Sequence, residues 1–266
     1  MKYNLHTHSF YCGHGSGLIH EYYEEAKNKE FDILGFSEHC PFPDNKTFKN
    51  TRMSFDSMPR YTEDVRECQR EGGIKVLLGY ECDYLPEWKG YFEDLCGDVD
   101  YLISGTHYVY RDDGRKTSPF REDFSSSDLV KYTKTYIDAM RTGLFLFMAH
   151  PDVFLLNYPW NENARSASLD IIEAAMELDI PLEINSNGIE KARESGSASW
   201  GYPNDNFWHL AKEKAVKAVI SSDAHKVENL YKNYERVWTF SRSLDIDILY
   251  PVIKDGKIEL RTGSEM

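Results

Sequence analysis

The chain has 266 residues, the size of one parallel α/β barrel, and 41% hydrophobic residues are ample for a core. Its 44 Asp and Glu outweigh 31 Lys and Arg to a net charge of -13, which argues against a nucleic-acid backbone as partner. No run of 18 apolar residues could span a membrane as a helix.

In chain order, short apolar strands alternate with helical patterns. Residues 2–6, 32–37, 75–79, 101–104, 144–149, 181–185 and 218–221 read as strands, and 18–28, 59–72, 126–142, 168–178 and 207–214 as helices. Ser126, Ser127 and Asp128 signal a helix N-terminus, and Gly72-Gly73 and Gly143 signal helix ends. Seven such units predict an α/β fold with a parallel sheet, a distorted seven-stranded TIM-like barrel in preference to a doubly wound sheet. The dinucleotide fingerprint G-x-G-x-x-G follows none of the strands. Beyond Glu228 the pattern is less regular, and a closing helix followed by a hairpin turning at Asp255-Gly256 is expected. No linker or repeat divides the chain, so residues 1–266 read as a single domain. Five cysteines without C-x-x-C spacing read as reduced thiols, and residues 1–4 carry no apolar signal segment. The expectation is a cytoplasmic protein.

The first strand runs into Leu5-His6-Thr7-His8, then a glycine-punctuated loop with Cys12, His14, Ser16 and Gly17. Two residues apart on a strand, His6 and His8 leave the same face and can share an ion. Other strands end in metal-competent residues too: Glu38-His39, Glu81-Cys82-Asp83, His107, His150-Pro151-Asp152, and Asp223-Ala224-His225. Of nine histidines, seven fall at these ends or in the opening loop, while His20 and His209 lie in helical patterns. In a parallel barrel all carboxyl ends of strands converge on one face, so these residues meet there. Imidazoles with carboxylates suit Zn, Mn or Fe(II), and two or three ions sharing a Glu suit phosphoester hydrolysis.

The order HxH, H, E, H, H, DxH, from His6 to His225, resembles the polymerase and histidinol phosphatase (PHP) superfamily. The contexts His14-Gly15-Ser16-Gly17, Ser37-Glu38-His39-Cys40-Pro41-Phe42-Pro43 and Gly79-Tyr80-Glu81-Cys82-Asp83-Tyr84 look like its histidinol-phosphate phosphatase branch. The resemblance implies three ion positions: His6, His8, Glu81 and Asp223; Glu81, His107 and His150; His14, His39 and His225. It implies hydrolysis of a small phosphomonoester, L-histidinol phosphate above all, with Glu81 as the bridge and Asp223 or His225 protonating the leaving oxygen. Ser16, Asn185 and the arginines Arg165 and Arg193 are the expected substrate contacts, since guanidinium matches phosphate geometry. The runs 153–160 and 186–193 depart from the branch, and Trp160, Trp200 and Tyr202 either stack on a substrate ring or cover the mouth.

Three rivals remain: another small phosphate such as a nucleotide or sugar phosphate, a C–N hydrolase of the amidohydrolase type, and a non-catalytic metal module. A lysine bridge, common in the second, has no counterpart at the strand ends. A structural site would be closed and tetrahedral, which nine ligands exceed. The sequence leaves the oligomeric state open.

Overall fold

The computed structural model describes residues 1–196 and 201–265, so Trp200 lies outside the described residues. A parallel sheet is formed by β1 (Tyr3–Asn4), β2 (Ile33–His39), β3 (Lys75–Cys82) and β4 (Tyr101–Ser104), in that order. A short antiparallel pair, β5 (Val109–Tyr110) and β6 (Lys116–Thr117), follows, and β7 (Leu182–Asn185) pairs in parallel with β8 (Ala218–Ser221). The two parallel sheets join at Met148, which bridges Ser104 on one side and Leu182 on the other. A parallel bridge between Thr7 and Ala224 brings the segments that follow β1 and β8 together. The result is an α/β fold with a curled parallel sheet. Residues 144–149, expected as a full strand, hydrogen-bond to both neighbours, yet their pairing is regular only at Met148.

The helices are α1 (Ile19–Asn28), α2 (Met58–Glu71), α3 (Lys89–Asp98), α4 (Ser126–Met140), α5 (Glu162–Glu177), α6 (Asn187–Ser195), α7 (Asp205–Glu213) and α8 (Asn229–Leu244). α8 is the expected closing helix. The expected hairpin is β9 (Leu249–Lys254) with β10 (Lys257–Thr262), turning at Asp255 and Gly256 with φ of 50° and 78°. Positive φ at both turn residues matches the tight turn that twisted antiparallel strands need.

The strands explain the core. Every residue of β2, β4, β7 and β8 is buried, as parallel strands covered on both faces should be. Gly79 on β3 meets the Tyr101 ring of β4, where a Cβ would stand only 2.7 Å away. All five cysteines are free, four of them buried. No helix among the described residues is long and apolar enough to cross a membrane.

Candidate metal centre and its cavity

Strand register assembles the site. β2 and β3 pair with His39 opposite Glu81, so the two side chains leave the sheet at one level. The His8 backbone N–H donates to the Ala224 carbonyl at 2.9 Å, which sets His6 and His8 beside Asp223 and His225. His107 and His150 follow shortly after β4 and the Met148 bridge. His150 and Asp223 adopt positive φ of 29° and 45°, a conformation that non-glycine residues rarely take and that clusters at functional sites.

Four donor atoms surround one point. His6 Nε2 and His8 Nε2 are 3.0 Å apart. Glu81 Oε2 lies 3.3 and 3.4 Å from them, and Asp223 Oδ1 lies 3.5 and 3.4 Å from them. Tetrahedral N and O ligands at about 2.0–2.1 Å from an ion stand about 3.3–3.4 Å from one another. The donors are therefore spaced as ligands of one ion. Hydrogen bonding does not account for them: Glu81 Oε2 and Asp223 Oδ1 are buried without a hydrogen-bond partner, which is costly unless a cation compensates.

Glu81 Oε1 points the other way, 2.8 Å from His150 Nε2 and 3.4 Å from His107 Nε2. Gly105 keeps this corner open, because a Cβ there would collide with Glu81 Oε1 and the His150 ring. One carboxylate thus reaches both clusters. The third expected set is looser, with ring centroids of His14 5.2 Å from His39 and 4.9 Å from His225, and of His39 6.1 Å from His225. His39 turns Nδ1 toward Glu81 Oε2 at 3.0 Å and so stands between the groups. His14 and His225 donate from Nδ1 to the Cys12 and Asp223 carbonyls at 3.1 Å, which leaves Nε2 of each available as a ligand.

The charges attract one another. Burial opposes a proton on His6, but Glu183, Asp223 and Glu81 raise it well above the usual imidazole range. Burial likewise opposes an ionised Glu81, yet His107, His6 and His39 hold its carboxyl well below the usual range. His39 and His225 are pushed down by burial and then by the charge on His8.

Two residues stand behind the ligands: Asp83, read in the sequence only as part of a metal-competent strand end, and Glu183, which went unnoticed there. Glu183 accepts from His6 Nδ1 at 2.7 Å, and Asp83 accepts from His107 Nδ1 at 3.1 Å and from its backbone N–H at 2.7 Å. Metal-binding histidines characteristically donate their second N–H to such a carboxylate, which fixes tautomer and ring orientation. For Glu183 the available signal was an acid flanked by Leu182 and Ile184 inside an expected strand.

A cavity of about 660 Å³ lies above this floor. Its lining includes the cations Arg52, Lys116, Arg121, Lys191 and Lys226. Lys191 Nζ sits 4.5 Å from the Phe120 ring centroid and 3.3 Å from the Tyr202 hydroxyl. Tyr202 is buried and lines the cavity, whereas Trp160 is part exposed and is not in its wall.

The structure places the expected substrate contacts mostly away from the cavity. Arg193 is exposed outside the cavity wall and donates to Glu190 Oε1 at 2.5 Å; two residues earlier on α6, Lys191 is the cation that enters the cavity. Arg165 is exposed in the first turn of α5, also away from the cavity wall. Asn185 is fully buried behind Asp223, donating to Asp223 Oδ2 at 3.2 Å and to Glu183 Oε2 at 2.8 Å, so it orients ligands. Ser16 holds the loop through backbone bonds, its N–H to the His225 carbonyl at 2.8 Å, and is not in the cavity wall. His20 and His209 are exposed on helices, as expected.

Comparison with known proteins shows the family and the fold. The PHP domain matches residues 4–187. The histidinol-phosphatase of Bacillus subtilis is 25% identical over 267 residues, covering 88% of this chain and 97% of the relative. The crystal structure of histidinol phosphate phosphatase from Lactococcus lactis, in complex with zinc, L-histidinol and phosphate, superposes with a TM-score of 0.72 at 17% identity. That superposition covers 97% of this chain and 98% of the other.

Proposed function

The chain belongs to the PHP domain family, and from that premise we propose that it is a metal-dependent phosphomonoesterase that hydrolyses L-histidinol phosphate to L-histidinol and phosphate. The reaction is a step of histidine biosynthesis. The names of the relatives support the substrate, and the donor cage of His6, His8, Glu81 and Asp223 is the observation that carries the metal chemistry. We read residues 1–266 as one cytoplasmic domain and count the segment bridged at Met148 as the fifth of seven barrel strands.

The first ion position takes His6, His8, Glu81 and Asp223, the second Glu81, His107 and His150, and the third His14, His39 and His225. Two or three divalent ions, zinc, manganese or iron, would act there as Lewis acids on the phosphoryl group and lower the pKa of water to supply the nucleophile. The chain's own residues do the rest. Glu183 and Asp83 keep the imidazoles of His6 and His107 in register. Lys191 offers its ammonium to the phosphoryl oxygens from the cavity side. Asp223 or His225, both in the cavity lining, would take the proton released by the nucleophilic water and pass it to the departing alkoxide. Phe120 and Tyr202 flank the space for the alcohol half.

A second reading is favoured by Arg52, Lys116 and Arg121 in the cavity lining, which suit an alcohol half bearing its own negative charge, as in a nucleotide or sugar phosphate. One panel separates the two. Protein loaded with manganese or zinc is offered histidinol phosphate, nucleoside monophosphates and sugar phosphates, and phosphate release is measured. Histidinol phosphate should exceed the others in kcat/KM by at least tenfold; a nucleotide or sugar phosphate in first place overturns the assignment.

A further inference from the structure

Arg52 reaches the site from the segment joining β2 to α2, far from any strand end, and only 8% of it is exposed. Its guanidinium lies 5.1 Å from the Phe42 ring centroid and 5.0 Å from that of Phe48. Nη2 donates to Asp83 Oδ2 at 2.8 Å, and Nη1 donates to the Cys40 carbonyl at 2.8 Å. Asp83 is the carboxylate behind His107, and Cys40 directly follows His39. One planar cation therefore fastens the supports of two imidazoles that face opposite oxygens of Glu81: His39 at Oε2 and His107 at Oε1.

We propose that Arg52 is a positioning residue for the second ion position, holding Asp83, and through it His107, in the geometry that lets Glu81, His107 and His150 close on an ion. This rests on the metal reading given above. The first position is supported differently. Glu183 behind His6 is held by the Ser221 hydroxyl, the Asn185 amide at 2.8 Å and the His150 backbone N–H at 2.8 Å. Loss of Arg52 therefore loosens the second position, through His107, and spares the first. Outer residues that orient a metal ligand typically matter by about 10–100-fold in affinity. Lysine keeps the charge but not the planar fork that spans two acceptors.

The test is zinc binding itself. Full-length wild type and the variants R52M, R52K, D83N and E183Q are stripped of metal and titrated with zinc against a chromophoric chelator to obtain stepwise dissociation constants. Circular dichroism checks that each variant is folded. In R52M one equivalent should weaken about 10–100-fold while the tightest stays within about twofold. R52K should fall between wild type and R52M. D83N should weaken the same equivalent, and R52M/D83N should be little worse than D83N alone, since both act through one carboxylate. E183Q should weaken a different equivalent. A wild type that takes up no zinc overturns the metal reading, and Arg52's role with it. Zinc uptake by wild type with R52M unchanged, or with all equivalents weakened alike, overturns the role of Arg52 alone. If R52M does not fold, R52K and D83N decide by the same criteria.

Discussion

Lys191 and Arg193 are two positions apart on α6, and their surroundings give them different work. The Lys191 ammonium is packed between Phe120 and Tyr202 in the cavity wall, while Arg193 is bound to Glu190 outside it. A hydrogen bond to a charged group is worth about 1.5–3 kcal/mol. Lys191→Ala should therefore lower kcat/KM for a phosphomonoester by roughly 10–150-fold, and Arg193→Ala should leave it within about twofold; steady-state kinetics on both variants decide. Equal losses would return the phosphate contact to Arg193. Glu81→Gln keeps the shape but removes the charge shared by both clusters. It should cost more than the hundredfold typical of an outer residue, and metal content measured by elemental analysis should fall with activity. The residues proposed to hold ions were legible because their types, His, Glu and Asp, are chemically distinctive and recur at strand ends. The residues proposed to meet substrate were not. An arginine after a strand signals phosphate chemistry, but which side of a helix it occupies is settled by packing, and α6 itself was not foreseen.

At the scale of elements, the start of α4 was legible to within a residue. Ser125 is the N-cap, its hydroxyl and backbone N–H meeting Asp128 Oδ2 at 2.8 and 2.9 Å, while the Asp128 N–H returns to the hydroxyl at 3.3 Å. The sequence showed only Ser126, Ser127 and Asp128; the long-range partner was invisible. Arg111, from β5's end, donates to both Asp128 oxygens at 2.9 and 2.7 Å. That guanidinium, with the cap, draws the buried Asp128 carboxyl down to about 2. A carboxyl lowered by folding stabilises above its unfolded value, near 3.9, and loses that contribution as pH falls toward 2. Because Arg111 is partly exposed, the contribution is discounted to about 1–2 kcal/mol. Urea unfolding of Asp128→Asn at pH 7 should show that loss, and at pH 3 the gap to wild type should shrink to roughly half. A gap independent of pH would assign the effect to lost helix capping by a neutral group. Two other helices show where local pattern fails. α3 carries two glycines in ten residues, and α5 begins at Glu162 under an Asn161 cap, before the apolar periodicity becomes plain.

Across the whole molecule, the topology gathers charge that no single element would tolerate. Glu38, Glu81, Asp83, Glu183 and Asp223 are all buried beneath one face, with His6, His8 and His150 among them. This convergence was legible in outline, since parallel strands bring their carboxyl ends together whatever lies between them. What the pattern could not supply was the closure: Thr7 meeting Ala224 and Met148 standing between two strands are single bridges, and each depends on packing across the curled sheet. Such a floor should be strained when empty, since Glu81 Oε2 and Asp223 Oδ1 then lack a compensating partner. Ions that bind only the folded chain stabilise it by mass action, about 2.7 kcal/mol at a hundredfold excess over the dissociation constant. For a chain of this size each kcal/mol moves Tm by about 2–4 °C, so removing metal should lower Tm by roughly 5–10 °C. Calorimetry on chelator-stripped protein refilled with graded zinc should show Tm climbing with the logarithm of free zinc. A Tm indifferent to zinc would mean that the imidazoles and carboxylates satisfy one another through protons alone, and that the floor is a charge network instead of a metal site.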